Sequence, residues 1–299
     1  MEFREMSRVS LALISAIRRA GRELRQARRL FTAIIMTALG ATLSGNELRV
    51  HADVPAPRPA QIDSTGRLLA AYPEHIQQIR DGLIHFRDGT TMPFDDGRGT
   101  KSHAEWLDAP DVEDMLAQPY ARGPMASSPD KDFEPGRARN EAFFSKIYGD
   151  CRTGAVRGKL VDVIWLPGKS GVKLKVTSVN GVSRRIDAVS RALDALPKRF
   201  DAYLIPPGGS YNCRPIAGTS RPSAHGYGIA IDIATSKADY WRWSKPGRDG
   251  RPRWRNRIPQ EIVDIFEAHG FIWGGKWDRY DTMHFEYRPE LLPPTATLD

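Results

Sequence analysis

His225 stands before a Gly226-Tyr227-Gly228 turn, and the apolar run Ile229-Ala230-Ile231-Asp232-Ile233 follows with an aspartate inside it. A carboxylate between two isoleucines is costly to bury unless it is paired or binds a cation. The glycines let the chain reverse, so that His225 and Asp232 can face one point. About fifty residues on, Asp281-Thr282-Met283-His284-Phe285-Glu286 adds a second imidazole and two more carboxylates. Two histidines and one carboxylate around an open fourth position form a recognised catalytic zinc arrangement. Each residue also has an ordinary reading: a loop histidine, a carboxylate capping a turn, a core histidine. Spacing alone leaves both readings standing.

The pattern HxxGxAxD at His225 to Asp232, with Ser223 before it and DxxH at Asp281 to His284 after it, narrows the choice. It resembles the zinc D-Ala-D-Ala carboxypeptidase and L-Ala-D-Glu peptidase family, which includes VanY-type carboxypeptidases and several phage endolysins. Tyr211-Asn212-Cys213-Arg214 and Gly270-Phe271-Ile272-Trp273-Gly274-Gly275 add context. The likeness covers about residues 140–290 and gives no functional support to the 140 residues before them.

The resemblance implies that His225, Asp232 and His284 hold Zn2+, that Asp281 is the catalytic carboxylate, and that Arg214 contacts the substrate near the scissile bond. Ser223 and Tyr227 are expected to bind substrate, and Glu286 to lie on the substrate side or behind the metal ligands. It further implies a hedgehog/DD-peptidase-like fold and a peptidoglycan stem peptide as substrate. The vancomycin-resistance branch typically carries glutamate where this chain has Asp281, and the aspartate is more like the endolysin-type endopeptidases. D,D-carboxypeptidase and L,D-type endopeptidase both stay open. The alternative is a non-catalytic wall-binding domain that keeps the fold, but such a binder has no need of a base at Asp281.

The elements that must position these residues read as α+β, a small antiparallel sheet flanked by helices, plus an N-terminal extension. Val161 to Leu166 and Val172 to Val179 are expected strands, and Asn180-Gly181 a turn. Arg185 to Phe200 carries Ile186, Val189, Leu193 and Leu196 on one helical stripe. Tyr203-Leu204-Ile205, Ile229 to Ile233, Phe271 to Trp273 and Met283 to Tyr287 read as strands, and a helix around Ile262, Ile265 and Phe266 stops at Gly270. Upstream, Ser64 to Asp81 reads as helix broken at Pro73, and Leu83 to Phe86 with Thr90 to Met92 as a hairpin around Asp88-Gly89. Ala104 to Leu116 is an amphipathic segment interrupted by Pro110; its neighbour His103, with Glu105 and Asp108, reads as solvent-facing charge rather than a second metal site. The stretch from Tyr240-Trp241-Arg242-Trp243 to Arg257 is expected to border the groove.

The chain has 299 residues and net charge +8, but nine arginines against four glutamates in the first fifty residues supply +5 of it. What remains is mildly basic, as suits work near an anionic cell wall, and no nucleic acid partner is expected. Arginines at 18, 19, 22, 25, 28 and 29 precede an uncharged run from Leu30 to Leu43, and Val50-His51-Ala52 offers a small-residue cleavage site. That order predicts export to the periplasm or cell envelope, with Arg28-Arg29 resembling a twin-arginine signal and membrane anchoring as the uncleaved alternative. The expected organisation is therefore 1–52 export segment, 53–140 extension and linker, 141–290 catalytic domain and 291–299 tail. Two cysteines, Cys151 and Cys213, cannot build a four-thiolate site. In an oxidising compartment they would close one disulfide loop, and otherwise they are buried thiols.

Overall fold

The computed structural model describes residues 64–247 and 249–292. The export segment, residues 53–63 at the start of the extension and linker, and most of the tail lie outside them. The described residues fall within one compact unit. Among them, no helix is long and apolar enough to cross a membrane.

The chain opens with α1 (Ser64–Ala71), which Pro73 ends, and continues into β1 (Ile76–Arg80), β2 (Leu83–Phe86) and β3 (Thr91–Pro93). The expected helix therefore stops at Ala71, and its second half is a strand. Asp81 and Gly82 take positive φ (52° and 72°), which makes a two-residue hairpin that pairs Arg80 with Leu83. With a partner strand so close, the segment 76–80 has ladder hydrogen bonds that a frayed helical turn would lack. The hairpin around Asp88-Gly89 forms as read. Of the segment Ala104 to Leu116, only α2 (His103–Asp108) and a single turn at Asp114–Leu116 are helical, because Pro110 breaks the run. Ser102 and Glu105 cap α2 reciprocally.

Next come α3 (Glu141–Tyr148), the antiparallel ribbon β4 (Leu160–Trp165) and β5 (Val172–Thr177), and the long helix α4 (Val182–Asp194). Val182, Ile186, Val189 and Leu193 form the buried stripe of α4. Ser190 on the same helix accepts from Leu166 N–H at 2.8 Å and donates to the Ile164 carbonyl at 2.9 Å, so it ties helix to ribbon. Tyr203-Leu204-Ile205 is not a strand. The run between Pro197 and Pro206 coils into a turn and then α5 (Asp201–Leu204), too short and too bracketed to find a pairing partner.

The last sheet orders β6 (Ala230–Asp232), β8 (His284–Tyr287) and β7 (Phe271–Trp273), antiparallel, with β8 in the middle. The helix α6 (Gln260–Ala268) covers it, and Phe266 stacks on Phe285 with centroids 3.8 Å apart. One apolar cluster runs from Leu68 through all three sheets to Leu292. Residues 64–139 share it and also make polar contacts with the C-terminal part. Tyr72 donates to Glu290 at 3.0 Å, Tyr120 to Glu267 at 2.6 Å, and Trp277 Nε1 to the Pro135 carbonyl at 2.8 Å.

Candidate metal centre

Strand register brings two of the three ligands together. Asp232 on β6 lies directly opposite His284 on β8, so both side chains leave the same face of the sheet. Glu286, two residues beyond His284, shares that face and stands opposite the small Ala230, which leaves room behind the histidine. The third ligand arrives on a turn. Ser223 caps it, accepting from His225 N–H at 3.4 Å, and Gly228 leaves it with φ of 70° to start β6. A side chain at Gly228 would meet Leu160 Cδ2 and Thr177 N at 2.9 Å, so the ribbon presses the turn into place and only glycine fits.

The result is a tight cluster of donor atoms. His225 Nε2 lies 3.2 Å from His284 Nδ1 and 3.2 Å from Asp232 Oδ1, and His284 Nδ1 lies 3.0 Å from Asp232 Oδ1. Donors about 2.0–2.1 Å from one tetrahedral zinc stand about 3.3 Å apart, so the spacing fits. The outer ring nitrogens fit as well. His225 Nδ1 is 2.5 Å from the Ser210 carbonyl and His284 Nε2 is 3.2 Å from Glu286 Oε2, both acceptors. With a cation bound, each histidine would spend its N–H outward on these acceptors and turn a lone pair inward. Two lone pairs and a carboxylate at this distance do not satisfy one another; a cation does.

The electrostatics agree. Burial opposes charge on Asp232, yet the two imidazoles outweigh it and hold the carboxyl well below the usual range. Burial likewise disfavours a charged His284, but its bonds to Asp232 and Glu286 push it up to about 9. In the metal-free site a proton on His284 supplies the positive charge between the two carboxylates, and a bound cation would displace it. Glu286 is itself fully buried, and despite that burial Arg139, His284 and Arg288 hold it ionised. A second acidic group, Asp95, Asp96 and Asp111, is close enough to hold a cation. Lys101 Nζ already does that work, at 2.8 Å from Asp96 and 3.0 Å from Asp111.

The triad opens into a cleft of about 640 Å³ lined also by Asp281, Arg214, Ser223, Tyr240, Trp243 and Trp277. Asp281 Oδ1 is buried without a hydrogen-bond partner. Burial, and then the charge of Asp232, push its carboxyl up to about 6. Arg214 is exposed at the rim, where Nη1 donates to the Pro215 carbonyl at 3.3 Å. Tyr240 and Trp243 put the aromatic stretch on the groove, as read from the sequence. Cys151 and Cys213, 62 positions apart, form a disulfide beside Arg214. Cys151 Sγ sits where a side chain at Gly226 would point, 3.1 Å from it, so the bond also packs on the turn carrying His225.

Two expected substrate-binding residues lie elsewhere. Tyr227 faces away from the cleft, its ring 5.6 Å from Phe144, and lines an adjoining cavity instead. Glu286 cannot reach substrate, because His284, Arg139 and Arg288 enclose it; of its two expected places, the one behind the ligands is occupied. Sequence reasoning missed Ser210, Arg137, Arg139 and Trp277. The two arginines sit in a charge-rich stretch some 90 residues before the motif, and only tertiary packing reveals which of its many charges turn inward.

Residues 217–287, which contain the whole triad, match the family model of D-alanyl-D-alanine carboxypeptidase. The motif segment is thus similar to this peptidase family. Over 72 residues, 22% of this chain, it is 39% identical to the peptidoglycan L-alanyl-D-glutamate endopeptidase CwlK of Bacillus subtilis (strain 168). The chain spans about 40% of that relative's length. No solved structure matches it. The family model begins after Arg214 and both cysteines, and well after Arg137 and Arg139.

Proposed function

We propose that this protein is an exported zinc-dependent peptidase that hydrolyses peptide bonds in peptidoglycan stem peptides, on a DD-peptidase-like fold. The observation that carries the reading is the convergence of His225 Nε2, His284 Nδ1 and Asp232 Oδ1 within 3.0–3.2 Å beside the unpartnered Asp281. Aspartate at 281 and the activity named for the Bacillus relative favour cleavage within the peptide over removal of its last residue.

His225, Asp232 and His284 would hold the ion, oriented by the Ser210 carbonyl and Glu286. Zinc, when bound, supplies Lewis acidity, which makes water a nucleophile near neutral pH and polarises the peptide carbonyl. Asp281 accepts the proton of the attacking water and returns it to the leaving amine. A carboxyl raised to about 6 is suited to both halves of that transfer. Arg214, at the cleft rim, steadies the oxygen on which negative charge develops. Tyr240, Trp243 and Trp277 give the peptide an apolar wall and displace water from the reacting bond.

The test is incubation of the purified protein with defined muropeptides, with and without a zinc chelator, and identification of products by mass. Chelator-sensitive cleavage supports the reading and the product masses name the bond. Absence of such cleavage from every stem peptide sinks it.

A further inference from the structure

Four arginines, at 137, 139, 214 and 221, line the cleft or the cavity that opens from it. Three are already occupied or solvated. Arg139 Nη1 lies 3.2 Å from Glu286, Arg221 Nε lies 3.3 Å from Asp108, and Arg214 is exposed at the rim. Arg137 differs. Its hydrogen bond is a long one, 3.4 Å from Nη1 to the Arg279 carbonyl, and its Nε, like that of Arg221, is buried with no hydrogen-bond partner, but without the carboxylate that Arg221 has beside it. Among the described residues no carboxylate lies within ion-pair distance of it. Arg137 as a whole is only half-buried, but a buried N–H left unpaired on its guanidinium is unfavourable unless something else completes the group.

Its position says what that partner is. The Arg137 guanidinium lies over the Trp277 ring at 4.7 Å, and the same ring is 5.6 Å from the His284 imidazole. This cation–π contact holds the guanidinium next to the reacting centre. Arg137 also lines both the cleft and the adjoining cavity of about 220 Å³, so it stands at their junction. A planar fork held there matches a carboxylate in bidentate fashion better than it matches a single carbonyl oxygen.

We propose that Arg137 is a specificity-determining residue that binds a free carboxylate of the substrate peptide close to the scissile amide. The proposal rests on the peptidase reading above and deepens it. It also gives the segment before the family match a part in recognition. Stem-peptide chemistry offers two such carboxylates: that of a C-terminal residue, and the α-carboxylate left free by a γ-linked glutamate.

Three synthetic stem peptides separate the possibilities: one with both carboxylates free, one with a C-terminal amide, and one with the glutamate α-carboxyl amidated. Each is measured for kcat/KM and, by calorimetry, for binding to the metal-loaded protein, using wild type, Arg137→Gln and Arg137→Lys. On the free peptide, R137Q is expected to lose roughly ten- to hundred-fold in kcat/KM and in affinity. R137K, which keeps the charge without the fork, loses less and serves if R137Q does not fold. The loss vanishes on the amidated peptide whose carboxylate Arg137 reads, and that peptide identifies the source. An equal loss on all three peptides, or no loss on any, overturns the proposal. If nothing is cleaved but R137Q still loses carboxylate-dependent binding, the inference stands and the peptidase reading falls.

Discussion

Glu286→Gln removes one charge behind His284 and leaves the three donors untouched. In the native site Glu286 accepts from His284 Nε2 at 3.2 Å, from Arg139 Nη1 at 3.2 and 3.3 Å, and from Arg288 Nη1 at 3.0 Å. A glutamine of the same shape offers one acceptor oxygen, and its NH2 group must face another donor. Arg288 still has Glu290, but Arg139 loses its carboxylate in a position with 9% side-chain exposure. Breaking a buried ion pair on one side costs about 3–5 kcal/mol, so the fold should weaken by that order. Removing the partner that orients a ligating histidine lowers metal affinity roughly 10- to 100-fold, or about 1.4–2.7 kcal/mol. The two effects are separable by competition against a zinc chelator of known affinity and by melting the metal-free protein. E286Q should bind zinc more weakly at temperatures where it remains folded. Wild-type zinc affinity in folded E286Q would falsify the assignment of Glu286 as the group that orients His284.

Asp281→Asn should abolish turnover while zinc stays bound, read by metal content and product formation; loss of zinc instead would make Asp281 a ligand. In the wild type, kcat/KM should fall as pH drops through about 6, or lower when the cation stabilises the carboxylate; an acid limb above pH 7 would point to another group. The same carboxyl acts on metal-free stability with a defined sign. Raised to about 6, it contributes stability fully present below its unfolded pKa of about 3.9 and lost as pH rises through about 6. The melting temperature of metal-free wild type should therefore fall relative to D281N across that window, and parallel curves would contradict it. Replacing Cys151 and Cys213 by serine should cost about 4 kcal/mol by loop entropy, and should also weaken zinc binding, because the bond packs on the His225 turn; unchanged affinity in the folded variant would limit the disulfide to stability. Trp243→Ala, at a side chain 62% exposed on the cleft rim, should leave stability within about 0.5 kcal/mol and raise KM for muropeptides about two- to tenfold; unaltered KM would remove Trp243 from the substrate wall.

The triad was legible because its constraints are local. A glycine turn, an aspartate in an apolar strand and a histidine in the next motif are visible one residue at a time. What the motif could not carry was the register that sets Asp232 opposite His284, since pairing depends on which strand becomes the central one. The α4 stripe and the Asp88-Gly89 hairpin were readable from period and turn chemistry. Tyr203 to Ile205 misled because three residues of strand-favouring type have no preference that outweighs flanking prolines and an absent partner. The segment 76–80 misled in the opposite direction, its apolar spacing being compatible with helix until β2 supplied hydrogen bonds. Arg137 and Arg139 were beyond reach for a plainer reason. Their partners on the site side, Arg279 and Glu286, are 142 and 147 positions away in the chain.

That distance bears on how portable the site is. The stretch from 217 to 287 holds all three metal ligands and reads as a self-sufficient cassette. Yet the Glu286 behind His284 is kept ionised first of all by Arg139, which enters from outside the cassette. Grafting the cassette into another scaffold would transplant the donors without this counter-charge. Glu286 would then drift toward its protonated form, and His284 would lose the acceptor that selects its tautomer. A chain recruited by motif alone could carry a perfect signature and a slack site, so a search for working relatives should look for an inward-facing cation upstream as well as for HxxGxAxD.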